Sequence, residues 1–325
     1  MSRYLDHEQL PAILRQYYSE ELILRSRMVG ADQQFESAYF NIVRFFGPNG
    51  LKPADIQIEY RDLPFEFEDR RIAEFSRYVE SELRSEERLY EGPPVMKLMS
   101  VDASASRQVM RVQPARYGDQ AGSCFALDLK HELFQEWGGT LRQYLLRTNP
   151  EHAPQRNPLA VCLGVAGYLR LADEGGEYLL GVKRSGKLAS LESSLGPSVA
   201  GSVDWRTDCV NLEELIVRSL QSELQEELGL SASEYRIVPL AYGTEILRGE
   251  RPQLFALVES KVSRTQLGSR LEQLPADSRE FSSFDFLPLS EGRLSGQQTT
   301  GLNFEAQACY FLAEEYLAGQ KRAAR

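Results

Sequence analysis

Three glutamates, Glu223, Glu226 and Glu227, stand at i, i+3 and i+4 in the segment Ser222-Glu223-Leu224-Gln225-Glu226-Glu227-Leu228-Gly229-Leu230. On a helix their carboxylates project from one face. Carboxylates that close together repel one another unless a cation sits among them, and hard oxygen ligands suit Mg²⁺ or Mn²⁺. Such an ion neutralises phosphate charge and activates a water, which is what hydrolysis of a pyrophosphate requires. The bland reading of the same string is a solvated acidic helix face. No rival metal site can be built locally. Cys124, Cys162, Cys209 and Cys309 form no CxxC pair, and His7, His131 and His152 are scattered. His131-Glu132 also lacks the second histidine that a zinc-protease helix needs.

The glutamates need a helix, and residues 211–228 have the spacing for one, with Gly229 as its left-handed stop. Upstream, residues 159–171 and 177–183 read as two strands of a hairpin joined by Asp173-Glu174-Gly175-Gly176. A small-residue loop leads from the hairpin to the helix. Strands are expected again at 235–241, 253–259 and 284–287, and a last helix at 304–318. The earlier half reads differently: helices at 8–28, 68–90 and 133–146, and strands at 55–60, 95–101, 108–112 and 125–129. Residues 147–158 carry three prolines and little that is apolar, which marks a domain boundary. The expected organisation is a helical segment over residues 1–48, an α+β accessory domain over 49–155, and an α/β domain over 156–325.

Composition narrows the partners. Lysine and arginine total 37 against 47 aspartates and glutamates, a net charge of −10 in 325 residues. Polynucleotides and anionic membranes attract basic surfaces, so neither is an expected partner. The apolar run 159–169 is far short of the ~20 residues a spanning helix needs. Scattered unpaired cysteines and the absence of a cationic, then apolar, start favour a cytoplasmic protein.

The glutamate segment resembles the second half of the Nudix box, G-x5-E-x7-R-E-U-x-E-E-x-G-U with U aliphatic. Glu214 falls in register as the box's first glutamate, and Leu195-Gly196-Pro197-Ser198-Val199-Ala200-Gly201 resembles the strand and glycine turn that precede it. Residues 280–289 are similar to the acidic loop and closing strand of that fold. The resemblance implies a Nudix-type α/β/α sandwich with a mixed sheet, preceded by a smaller α+β N-terminal domain. It departs at two places: Asp208 stands where the box opens with glycine, and Ser222 where it has arginine. The first is explained by about seven extra residues after Gly201; the second removes a cation that pairs with the carboxylates. Arg218, one turn earlier, is the available substitute.

By this resemblance Glu223, Glu226 and Glu227 ligate Mg²⁺ or Mn²⁺ with a backbone carbonyl around Ala200 or Gly201, and Glu214 supports the site near the helix start. Glu226, Glu227 and Glu280 are the candidate catalytic carboxylates, although Glu280 also reads as an ordinary surface residue. Lys183, Arg184 and Lys187 are candidates to hold a diphosphate, or else solvated strand-end charges. The order of elements from residue 50 onward, with its lengthened box, resembles UDP-glucose-type Nudix pyrophosphatases. The implied substrate is a nucleoside diphosphate linked to a sugar or similar group, giving a nucleoside monophosphate and a sugar phosphate. Tyr117, Phe125 or Trp137 would stack on the base, or simply belong to the core. A catalytically weak or inactive nucleotide-binding module is the alternative, motivated by Ser222, and a homodimer is compatible with either.

Overall fold

Leu163, Val165, Leu169 and Leu171 face one hydrophobic cluster, whereas Ala166 and Tyr168 between them face another. Leu254, Ala256 and Val258 alternate with Phe255 and Leu257 in the same way. Strands apolar at every position are buried on both faces, so these two form the middle of a sheet covered on each side.

The computed structural model describes residues 40–46, 52–89, 91–104, 107–148, 157–184, 195–245, 248–274, 281–294, 298 and 301–323. Its strands are β1 (Phe40–Phe45), β2 (Gln57–Tyr60), β3 (Val95–Ser104), β4 (Arg107–Ala115), β5 (Gly164–Asp173), β6 (Gly176–Arg184), β7 (Leu195–Gly196), β8 (Val199–Ser202), β9 (Tyr235–Glu245), β10 (Arg251–Ser260) and β11 (Phe281–Leu289). The helices are α1 (Arg70–Ser85), α2 (Tyr117–Ser123), α3 (Leu141–Thr148), α4 (Leu212–Leu228), α5 (Arg264–Gln273) and α6 (Phe304–Ala323). The large sheet runs β1-β9-β10-β5-β6-β11, with β8 on β5 and β7 on β6. Only β10 and β5 are parallel neighbours in it, so the sheet is mixed. Helices α4 and α5 pack on one face and α6 on the other. This is the expected α/β/α sandwich. Among the described residues no helix is long and apolar enough to cross a membrane.

The earlier half supplies a second, small sheet, β2-β4-β3, and a helical cluster. The helical cluster has its own core, in which Ile72, Phe75, Val79 and Leu83 of α1 meet Phe134, Leu141 and Leu145. The small sheet instead shares the core of α4: Ile56, Ile58, Met96, Leu98, Met110 and Val112 pack in the same cluster as Leu212, Leu215 and Leu220. Backbone bonds cross between the halves as well, from Leu163 N to Met96 O at 2.8 Å and from Leu98 N to Val161 O at 3.1 Å.

Several elements depart from expectation. Phe125, Ala126 and Leu127 are buried but lie in turns, not in a strand. The helix expected at 133–146 breaks into a 3-10 turn, Glu132–Trp137, and α3. Gly138 and Gly139, at φ 110° and 98°, take left-handed conformations that a continuous helix cannot contain. Strand β1 and helix α5 were not expected, and β1 lies inside the stretch read as a helical segment. The helix expected at 8–28 lies outside the described residues.

A buried ionic group closes the end of the large sheet beneath the start of α6. Glu245 is fully buried; Arg248 Nε stands 3.1 Å and Arg251 Nη1 3.9 Å from its carboxylate. The Arg248 guanidinium lies between Phe125, 4.7 Å away, and Phe304, 5.2 Å away. Burial pushes the Glu245 carboxyl up to about 7 against the pull of the two arginines, and burial alone raises Glu250 to about 7. Because both folded values exceed the ordinary carboxylate value of 4.5, the unfolded chain releases these protons first as pH rises. Their stabilisation is complete below that value and is lost as pH rises through about 7. The melting temperature is therefore expected to fall between about pH 5 and about pH 8. Glu245→Gln should flatten that decline, and calorimetry showing an unchanged decline would contradict the assignment.

Candidate functional site

Helix α4 is set by local signals at both ends. Asn211 caps it, its Oδ1 accepting from Glu214 N at 3.0 Å, while Glu214 Oε2 accepts from Val210 N at 3.0 Å. Gly229, at φ 63°, ends it, and Leu230 N donates back to Leu224 O at 3.1 Å. Between the caps Leu212, Leu215, Ile216, Leu220, Leu224 and Leu228 are all fully buried. Each such side chain contributes on the order of 1.5–3 kcal/mol of burial. Together they fix the rotation of α4, and with it the direction of every polar residue on the helix. Glu223 is left half-buried, Glu226 exposed and Glu227 buried. Glu214 is engaged in the helix cap through Val210 N and Asn211 Oδ1.

The glycine turn meets this helix at Gly201. A Cβ added at Gly201 would lie 2.6 Å from the carboxyl carbon of Glu223, so the carboxylate rests on backbone that only glycine leaves open. The turn itself is tied to its neighbours by Ser198, which is fully buried. Its hydroxyl donates to Leu180 O at 2.5 Å and accepts from Leu169 N at 2.7 Å, joining the turn to β6 and β5. Strand β8 adds ladder pairing, Gly201 opposite Val165 and Ser202 opposite Gly164. Nothing in the residue pattern around Ser198 signals this role beyond its place beside Pro197.

Among the described residues no three or more His, Cys, Asp or Glu side chains are gathered so as to hold a metal ion. Glu223 and Glu227 are i and i+4 neighbours on one helix face, with the glycine turn against the first. Mg²⁺ commonly takes one or two carboxylates from a protein, keeps several waters and receives the rest of its shell from substrate phosphates. The donor set fits an ion held in that open manner and not one enclosed by protein.

The other expected residues are placed unevenly. Arg218, expected as a stand-in for an arginine at position 222, is paired with Asp208 in the connection before α4. Lys183 is exposed on β6, opposite Leu195 of β7 and Ser283 of β11. Arg184 pairs through its backbone with Phe281. Lys187 and Glu280 lie outside the described residues. Tyr117 opens α2 and packs edge-on against Phe125 at 6.3 Å between ring centroids. Phe125 carries Arg248 on its ring, and Trp137 carries Arg71 at 4.9 Å. All three aromatic rings are thus engaged in packing within the chain.

No protein-family profile and no curated protein sequence matches this chain. Solved structures similar to it include a mutT/nudix family protein from Listeria innocua. That protein is 14% identical over 50% of this chain and 96% of its own, with a TM-score of 0.34. The Ap4A hydrolase of C. elegans is 10% identical over 48% and 96%, with a TM-score of 0.28. Shewanella oneidensis NrtR is 13% identical over 49% and 64%, at 0.31. Likeness at this level adds no weight to what the residues and their geometry support.

The contact between Gly201 and Glu223 is directly testable. Gly201→Ala must push aside the Glu223 carboxylate, the end of a flexible, half-buried side chain, and should cost up to about 1 kcal/mol. Combined with Glu223→Ala it should cost less than the sum of the two, with a coupling of about 0.5–1 kcal/mol in denaturant melts. Strict additivity would mean that the carboxylate does not rest on the turn.

Proposed function

We propose that this chain is a Nudix-type pyrophosphohydrolase that cleaves a nucleoside diphosphate linked to a second group. The observation that supports it most is the seating of the Glu223 carboxylate on the Gly201 backbone, with Glu227 one helical turn further along. Glu223 and Glu227 would hold Mg²⁺ or Mn²⁺ with the backbone of the turn, and Glu226, exposed beside them, would orient water or a second ion. Such an ion, when bound, neutralises phosphate charge and lowers the pKa of water. The fixed carboxylates and turn contribute preorganisation, since neither must move as charge develops on the phosphate. Lys183, Arg184 and Lys187 would bind the diphosphate through charge-assisted hydrogen bonds, and Glu280 would supply the later catalytic carboxylate. An accessory half in the order of the UDP-glucose-type enzymes favours an NDP-sugar, giving a nucleoside monophosphate and a sugar phosphate.

One observation favours a second reading, a nucleotide-binding module with little turnover. Ser222 cannot pair with the carboxylates as arginine would, and Arg218 is drawn to Asp208. Incubation with Mg²⁺ or Mn²⁺ and a panel of UDP-glucose, ADP-ribose, dinucleoside polyphosphates and nucleoside triphosphates separates the two. The enzyme reading expects monophosphate release from at least one diphosphate-linked nucleotide. It also expects a loss of about 100-fold in rate in Glu227→Gln, roughly 2.7 kcal/mol. Binding without turnover of any compound would establish the module, and full activity in Glu227→Gln would place the site elsewhere.

A further inference from the structure

The connection from the glycine turn to α4, residues 202–211, is held largely by the earlier half of the chain. Met96 N donates to Val203 O at 2.8 Å, and Trp205 N to Pro94 O at 2.7 Å. Further along, Ile58 N donates to Val210 O at 3.2 Å and Leu212 N to Ile56 O at 2.9 Å. Tyr60 adds a side-chain tie: its hydroxyl donates to Cys209 O at 2.7 Å, and its ring meets Trp205 edge-on at 5.7 Å. Burial raises the Tyr60 hydroxyl to about 12, so it remains a donor throughout the neutral range.

A second tie lies one residue beyond Gly201. The Ser202 hydroxyl donates to Gln120 Oε1 at 3.2 Å. Gln120 is fully buried on α2, and among the described residues its Nε2 has no hydrogen-bond partner. Helix α2 is pressed onto α1, because a Cβ at Gly122 would come within 2.5 Å of Ser76 O and one at Gly118 within 2.8 Å of the Glu80 carboxyl carbon. Gln120 therefore projects from a helix with little room to shift, and among the described residues its side chain accepts from Ser202.

We infer that Gln120 and Tyr60 are positioning residues, which hold the 202–211 connection so that Gly201 stays seated against Glu223 and the cation site keeps its affinity. The inference rests on the reading of Glu223 and Glu227 as a divalent-cation site. It assigns the accessory half a task at the chemistry itself: it braces both ends of an unusually long connection between the turn and the helix that must face each other. Both act at a distance, through the connection: Gln120 at the Ser202 hydroxyl, one residue beyond Gly201, and Tyr60 at the Cys209 carbonyl, two residues before α4 caps at Asn211.

Mn²⁺ titration of the full-length protein, read by electron paramagnetic resonance, tests this without relying on turnover. Ser202→Ala removes the donor to Gln120, and Tyr60→Phe removes the donor to Cys209. Each should weaken Mn²⁺ binding by about tenfold, the range seen when groups supporting metal ligands are removed. Ser202→Thr, which keeps the hydroxyl, should restore the affinity. Circular dichroism checks folding, and Tyr60→Phe decides the matter if Ser202→Ala does not fold. Unchanged affinity in folded Ser202→Ala and Tyr60→Phe overturns the inference alone. No Mn²⁺ binding by the unsubstituted protein overturns the cation reading and the inference together.

Discussion

The close approach of one carboxylate to one glycine constrains much of this molecule. Glu223 can rest on the turn only because Gly201 has no side chain, and only if α4 holds its rotation and the turn its height. The rotation comes from the apolar stripe Leu212 to Leu228, buried against β8, β5 and β9, and from caps at Asn211 and Gly229. The height comes from Ser198, bonded to both neighbouring strands, and from the ladder between β8 and β5. Remove any of these and the carboxylate loses its seat. A preorganised acidic site against backbone suits charge that arrives with a phosphate and its cation.

The accessory half enters this scheme through backbone. Its small sheet shares the hydrophobic cluster of α4, and its strands bond to residues on both sides of the long connection. Charge follows the same logic. The net charge of −10 disfavours polynucleotides, yet six of its glutamates lie between Glu213 and Glu234 with a single arginine, Arg218. That arginine pairs with Asp208 in the connection before α4.

What could be read from sequence was what depends on neighbours in sequence. Asn211, Gly229 and the leucine spacing announced α4 with nearly its observed ends, because capping and amphipathicity are local. The middle strands were legible as continuous apolar runs. Phe125 to Leu127 has the same apolar character but no partner strand, and burial alone does not distinguish a core turn from a core strand. Strand β1 escaped notice because its partner β9 lies some two hundred residues away, Phe40 opposite Glu245. Helix α5 does carry a local signal, the reciprocal Ser263–Gln266 capping box. At the site, the glycine and the glutamates were each visible, but their contact was not. The contacts of Tyr60 with Cys209 and of Ser202 with Gln120 carry no sequence signal, since each joins residues far apart in the chain.

Crystals of the protein soaked in Mn²⁺, with the ion located by its anomalous scattering, test the central claim most directly. The account predicts a peak coordinated by Glu223 and Glu227 beside the backbone of Gly201. Manganese bound elsewhere, with none beside that turn at millimolar concentration, would contradict it.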